Sequence, residues 1–153
     1  MNRRTLLKRT LAVSAVSVAA SAGLLTPGQV LAAYPKAAFE SKAMDSALSG
    51  LMGSSAMEDS GDIKIKAPDI AENGSVVPVT VETDIANTES ITILAESNGT
   101  PLVASFNLSG AEGYVSTRIK MGKTGNVVAV VKAGGKMYSS KKEVKVTIGG
   151  CGG

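Results

Sequence analysis

The chain has 153 residues, with 16 Lys and Arg against 13 Asp and Glu, no His, no Trp and a single Cys. Without His there is no Ser-His-Asp or Cys-His catalysis and no metal set of the Cys/His type, and one Cys cannot form an internal disulfide. The formal net charge of +3 comes from the start of the chain: setting aside Arg3, Arg4, Lys8 and Arg9 leaves 12 basic residues against 13 acidic ones, a net of −1, so the charge does not point to nucleic acid.

Residues 1–33 read as a cleaved export signal. A basic start containing Arg3-Arg4 and Lys8-Arg9 carries no acidic residue, an apolar stretch follows from Leu11 to Leu25, and Val30-Leu31-Ala32-Ala33 supplies small residues for cleavage after Ala32 or Ala33. Arg3-Arg4 followed by Leu7-Lys8 resembles the twin-arginine type, which exports folded proteins. The apolar run falls short of the ~20 residues a membrane span needs, so no anchor is expected in the mature form. What remains, residues 34–148, is long enough for one domain with its own core.

Residues 36–52 are predicted as one amphipathic helix, with Phe39, Ala43, Met44, Ala47, Leu48, Leu51 and Met52 on its apolar side and Gly53 as its stop. Its role is to pack on a sheet or a partner, and Met44, Met52 and Met57 read as gap fillers rather than metal ligands. From residue 63 the period changes to two. Strands are predicted at 63–67, 77–83, 90–95, 102–107, 115–120, 127–132 and 136–147, separated by turn signals at Asn73-Gly74, Asn98-Gly99, Gly122 to Gly125 and Gly134-Gly135. Pro68 and Pro78 are expected at strand edges or bulges. Seven short strands with turns every 8–14 residues (about one per hairpin) argue for a mainly β, immunoglobulin-like antiparallel sandwich with one N-terminal helix.

The last strand carries Val144, Val146 and Ile148 on one face and runs into Gly149-Gly150-Cys151-Gly152-Gly153. Four glycines around one thiol make a slim tether, because Gly has no side chain and the greatest backbone freedom. From Ile148 to Cys151 the tether spans about 10 Å when extended. Cys151 is therefore placed to enter a pocket on another protein while the domain stays outside, and the plainer alternative is a frayed terminus. A thiolate is a good nucleophile and sulfur forms S–S bonds that other enzymes can make and break, so a thiol on a tether suits covalent attachment. Gly122-Lys123-Thr124-Gly125 lacks the spacing of a phosphate loop and is a turn. No catalytic site is found, and no cofactor of the protein's own is implied.

From Gly113 onward stand Arg118, Lys120, Lys123, Lys132, Lys136, Lys141, Lys142 and Lys145 against one acid, Glu143. Among these, Lys136, Lys141, Lys142 and Lys145 are candidates for steering anionic partners or offsetting a negative adduct; the alternative is a solvated strand face.

The export signal, the stretch Ala67-Pro68-Asp69-Ile70-Ala71-Glu72-Asn73-Gly74-Ser75-Val76-Val77-Pro78-Val79 and the terminal Gly149-Gly150-Cys151-Gly152-Gly153 together resemble the SoxY family of sulfur carriers. The resemblance implies a non-catalytic protein of the periplasmic thiosulfate-oxidising system in which Cys151 holds sulfur intermediates. It implies a heterodimer with a SoxZ-like subunit and visits to a c-type haem enzyme that conjugates thiosulfate, a sulfate-releasing hydrolase and a sulfane dehydrogenase. Two other readings remain open on the residues alone. One is an exported binding domain whose Cys151 makes an intermolecular disulfide, and the other is a carrier that holds sulfur as a thiocarboxylate on Gly153.

Overall fold

Alternating apolar and polar residues become strands with one face turned inward, and the unbroken apolar runs become strands covered on both faces. A computed structural model describes residues 35–147. Its elements are α1 (Lys36–Glu40), α2 (Met44–Met52), β1 (Glu58–Asp59), β2 (Ile63–Lys66), β3 (Ile70–Ala71), β4 (Val77–Thr83), β5 (Thr88–Ala95), β6 (Leu102–Asn107), β7 (Tyr114–Ile119), β8 (Gly125–Ala133) and β9 (Lys136–Val146).

Two sheets result. The smaller has the order β2-β4-β7, and the larger β1-β9-β8-β5-β6, with β3 also pairing β9. Setting aside the two-residue strands β1 and β3, the first, second and fifth long strands oppose the seventh, sixth, third and fourth, which is an immunoglobulin-like order. Between the sheets lie Val77, Val79, Val81, Val115 and Ile119 from one side and Ile91, Ile93, Val127, Val131 and Val144 from the other. The outer face of the small sheet is polar, with Thr80 hydrogen-bonded to Ser116 at 2.9 Å and Lys66 to Glu82 at 2.6 Å. Pro78 lies where β4 has β7 as its only neighbour, so its missing N–H leaves no ladder bond unmade.

The large sheet is covered on its second face as well. Ala38, Ala47 and Leu48 of the helices pack with Leu94, Leu102, Val128, Val130 and Met137, and Met44, Met52 and Met57 border this cluster. That second cover explains why Val127 to Val131 are all buried: alternation disappears when neither face meets water. Thr92, fully buried in β5, is satisfied by the Ser105 hydroxyl at 2.9 Å.

Three expectations are corrected. The single helix over 36–52 is two helices, broken where Ser41 and Ala43 adopt extended backbone. Ser41 turns its hydroxyl back to the carbonyl of Ala37 at 2.8 Å, closing the first helix with a side chain. The break folds α1 back on α2, where Gly50 faces Ala38. Gly53 ends α2 as expected, at φ 80°. Second, strands begin before 63, since β1 precedes β2. Third, β3 was not anticipated. Both short strands run parallel to β9, Glu58–Asp59 opposite Tyr138–Ser139 and Ile70–Ala71 opposite Lys145–Val146. Two residues are too few to show a hydrophobic period, so neither leaves a trace in the pattern.

Candidate functional site

Cys151, the glycines Gly149, Gly150, Gly152 and Gly153, and the signal residues Arg3 and Arg4 all lie outside the described residues. The structure does describe the chain up to Thr147, four residues before the thiol, and so defines the point from which the tether starts.

That root is held from both sides. On one side the amide of Lys145 donates to the carbonyl of Asp69 at 2.9 Å, and the amide of Thr147 donates to the carbonyl of Ala71 at 3.1 Å. On the other side the neighbouring strand β8 begins only at Gly125, opposite Val144, so main-chain pairing stops short of the end of β9. The side chain of Thr124 takes over: its Oγ1 accepts the amide of Val146 at 2.9 Å and faces the carbonyl of Val146 at 3.4 Å. One hydroxyl therefore extends the sheet by a residue.

The stretch from Ala67 to Val79 is the other half of this clamp. Asn73 makes the expected turn, its Oδ1 accepting the amide of Ser75 at 2.9 Å. Gly74 has a second task. Its carbonyl accepts the amide of Met121 at 2.7 Å, and a Cβ on it would run into the Met121 carbonyl and lie 2.8 Å from Cγ1 of Val146. The Asn-Gly pair is thus a turn whose glycine is required by the close approach of the arm root.

Period two distributes the four candidate lysines of β9. Lys142 pairs with Val127, whose side chain is in the inter-sheet core, and so points to the sandwich side. There its Nζ donates to the carbonyl of Ala67 at 2.7 Å and meets Asp69 Oδ1 at 3.1 Å, closing the gap between β2 and β3. Lys141 and Lys145 are exposed on the opposite face. Lys136 opens β9 beside the Gly134-Gly135 turn, about 30 Å from the root at strand rise. The four are not gathered into one patch.

A different set of cations stands on and beside the loops that lead to Thr124. The loops 96–101 and 120–124 are laced together by Asn98, whose Nδ2 donates to the carbonyl of Lys120 at 2.7 Å and whose Oδ1 accepts the amide of Gly122 at 2.9 Å. Ser97 adds a bond from its hydroxyl to the carbonyl of Lys123 at 2.9 Å. Beside them lies an open groove of about 670 Å³ whose lining includes Lys42, Lys120 and Lys123. Sequence reasoning missed this group because Lys42 is nearly eighty residues from the others. The only available signal was that Lys120 and Lys123 flank a turn at the same end of the sandwich as the tether.

Among the described residues no helix is long and apolar enough to cross a membrane, and no group of three or more His, Cys, Asp or Glu is placed to hold a metal ion.

A two-sheet sandwich with a braced last strand leading to a lone terminal Cys has the build of a sulfur-oxidation carrier, and the comparisons agree. The family model for the sulfur oxidation protein SoxY matches residues 48–151, a span that includes Cys151. The solved structure of the sulfur carrier protein SoxY from Chlorobium limicola f thiosulfatophilum is 50% identical, covering 68% of this chain and 96% of that one with a TM-score of 0.62. No curated protein matches. The chain belongs to the SoxY family.

Proposed function

We propose that Cys151 is the attachment point for sulfur intermediates and that the domain presents it to successive enzymes of thiosulfate oxidation without catalysing a step itself. Conjugation joins the thiol to thiosulfate as Cys–S–S–SO3⁻, releasing one proton and passing two electrons to a c-type haem enzyme. Hydrolysis of the terminal S–S bond by a second enzyme adds water, releases sulfate and leaves a persulfide. A sulfane dehydrogenase would then oxidise the remaining sulfur. The protein works after export to the periplasm by the twin-arginine route, as a heterodimer with a SoxZ-like subunit.

The observation that carries this reading is the clamp on residues 145–147. Main-chain bonds from β3 and the Thr124 hydroxyl fix the start of a tether that continues with glycines and one thiol. Orientation is set at the root, and slimness at the tip suits a narrow channel from which water is excluded.

Replacing Cys151 with Ser is expected to abolish adduct formation, and a thiosulfate-derived mass gain that survives the change would place the chemistry elsewhere. Gly150→Val or Gly152→Val should slow turnover with the partner enzymes at unchanged fold stability. Trimming Gly152 and Gly153 should impair a cysteine carrier but eliminate a thiocarboxylate donor. On non-reducing gels a carrier shows a labelable thiol fraction, whereas a disulfide-linked binding domain runs as a permanent dimer.

A further inference from the structure

We infer that the loop lysines Lys42, Lys120 and Lys123 form a cationic collar at the base of the tether that docks against an acidic rim around the channel mouth of the receiving enzymes. The inference rests on the carrier reading and adds the surface and the chemistry of its partner.

The short reach from Thr147 to Cys151 brings an enclosing enzyme close to the loops that hold the root. From Thr147 to Cys151 is four residue steps, about 14 Å when fully extended. An enzyme that encloses the thiol must bring the entrance of its pocket within that distance of the root, so whatever surrounds the root is pressed against the enzyme. Lys123 directly precedes Thr124, whose hydroxyl holds Val146. Lys120 is fixed through its carbonyl to Asn98, which also binds the amide of Gly122, and Lys42 lines the same groove.

The ammonium groups on this surface stand outside any ion pair: all three lysines are exposed, and none has an ion-pair partner among the described residues. The carboxylates of this end are not paired with them: Glu96 Oε2 accepts from the neutral Asn126 amide at 2.8 Å, Asp69 faces Lys142, and Asp45 and Glu72 are exposed without an ion pair to any of the three lysines. Lysines left outside ion pairs where two proteins must meet favour an acidic counterpart, because opposite potentials accelerate encounter and like potentials oppose it. The fixed loop backbone holds the stems while the ammonium groups adapt, which suits one carrier meeting several enzymes.

The test measures the association rate of the full carrier, with its partner subunit, for the sulfate-releasing hydrolase. Wild type is compared with the triple variant Lys42→Gln, Lys120→Gln, Lys123→Gln and with Lys136→Gln as a control at the far end. At about 10 mM ionic strength, where charges act over about 30 Å, the triple variant should associate roughly tenfold more slowly and its rate should depend less on salt. The Lys136→Gln protein should behave as wild type, and alkylation of Cys151 by a small neutral reagent should be unchanged in all three. An unaltered rate and salt slope in the triple variant overturns the collar while leaving the carrier reading intact. A slowing seen only when Cys151 carries an anionic adduct also overturns it, since the lysines would then act on the cargo rather than on the enzyme. Adduct formation on a Cys151→Ser protein is the separate result that would remove the carrier reading itself.

Discussion

The two ends of the sandwich are braced differently. At the end where the tether leaves, side chains tie together segments far apart in sequence: Asn98 to the 120–122 turn, Ser97 to Lys123, Asn126 to Glu96, Thr124 to Val146 and Lys142 to Ala67. At the other end the hydroxyl bonds of Thr83 and Thr88 reach only two or three residues, to Ile85. There the chain turns on residues with positive φ, Asn87, Gly110, Gly134 and Gly135. The long side-chain ties elsewhere among the described residues run between neighbouring strands: Ser139 to Asp59 at 3.0 Å, Lys132 to Glu89 at 3.6 Å, Lys66 to Glu82 at 2.6 Å, Thr80 to Ser116 and Thr92 to Ser105. Ties between loops distant in sequence are concentrated where the final strand β9 ends. A turn that only reverses the chain is left to local geometry.

The largest test of this contrast is Gly74→Val. A side chain there must displace either the Met121 carbonyl or Val146, so a loss of about 3 kcal/mol in denaturant unfolding is expected, with faster hydrogen exchange at the amides of Lys145 and Thr147. A loss under about 0.5 kcal/mol would mean that the close approach is not a constraint.

Asn98→Ala, which removes two inter-loop bonds at once, should cost about 1–2 kcal/mol, and Thr124→Val about 1 kcal/mol. Both should raise exchange near the root. If the amide of Val146 remains as protected in Thr124→Val as in wild type, the hydroxyl is not what extends the sheet.

Lys142→Gln should cost only a few tenths of a kcal/mol, because its partner Asp69 is largely exposed. The smallest effect is expected from Gly135→Asn at the far end, where Asn accepts φ near 75°. A change within about 0.5 kcal/mol and no effect on exchange at residues 145–147 is the outcome that preserves the contrast.

The sandwich was legible because its strands carry their own period and its hairpins their own turn residues. Val77, Val79 and Val81 alternate with Pro78, Thr80 and Glu82, and Gly134-Gly135 turns as the sequence implies. The helix break was hidden because Ser41 and Ala43 are both compatible with a helix; the sheet beneath decides, by seating Ala38 and Ala47–Leu48 on one face. Of the candidate site, the lone Cys151 and its glycines are visible in the chain. The clamp is not, because it depends on a two-residue strand, one Thr hydroxyl and a glycine whose value lies in what it leaves empty. Lysine spacing along β9 likewise suggested a patch that the pleat divides between two faces.

The central claim is that Cys151 takes up thiosulfate-derived sulfur. Intact mass of the protein, measured after exposure to thiosulfate and a thiosulfate-conjugating haem enzyme and followed by peptide mapping, addresses it most directly. The account predicts a gain of one thiosulfate on the peptide containing Cys151, lost again on treatment with a reductant. An unchanged mass with a free, labelable thiol, or a gain mapped to any other residue, would contradict it.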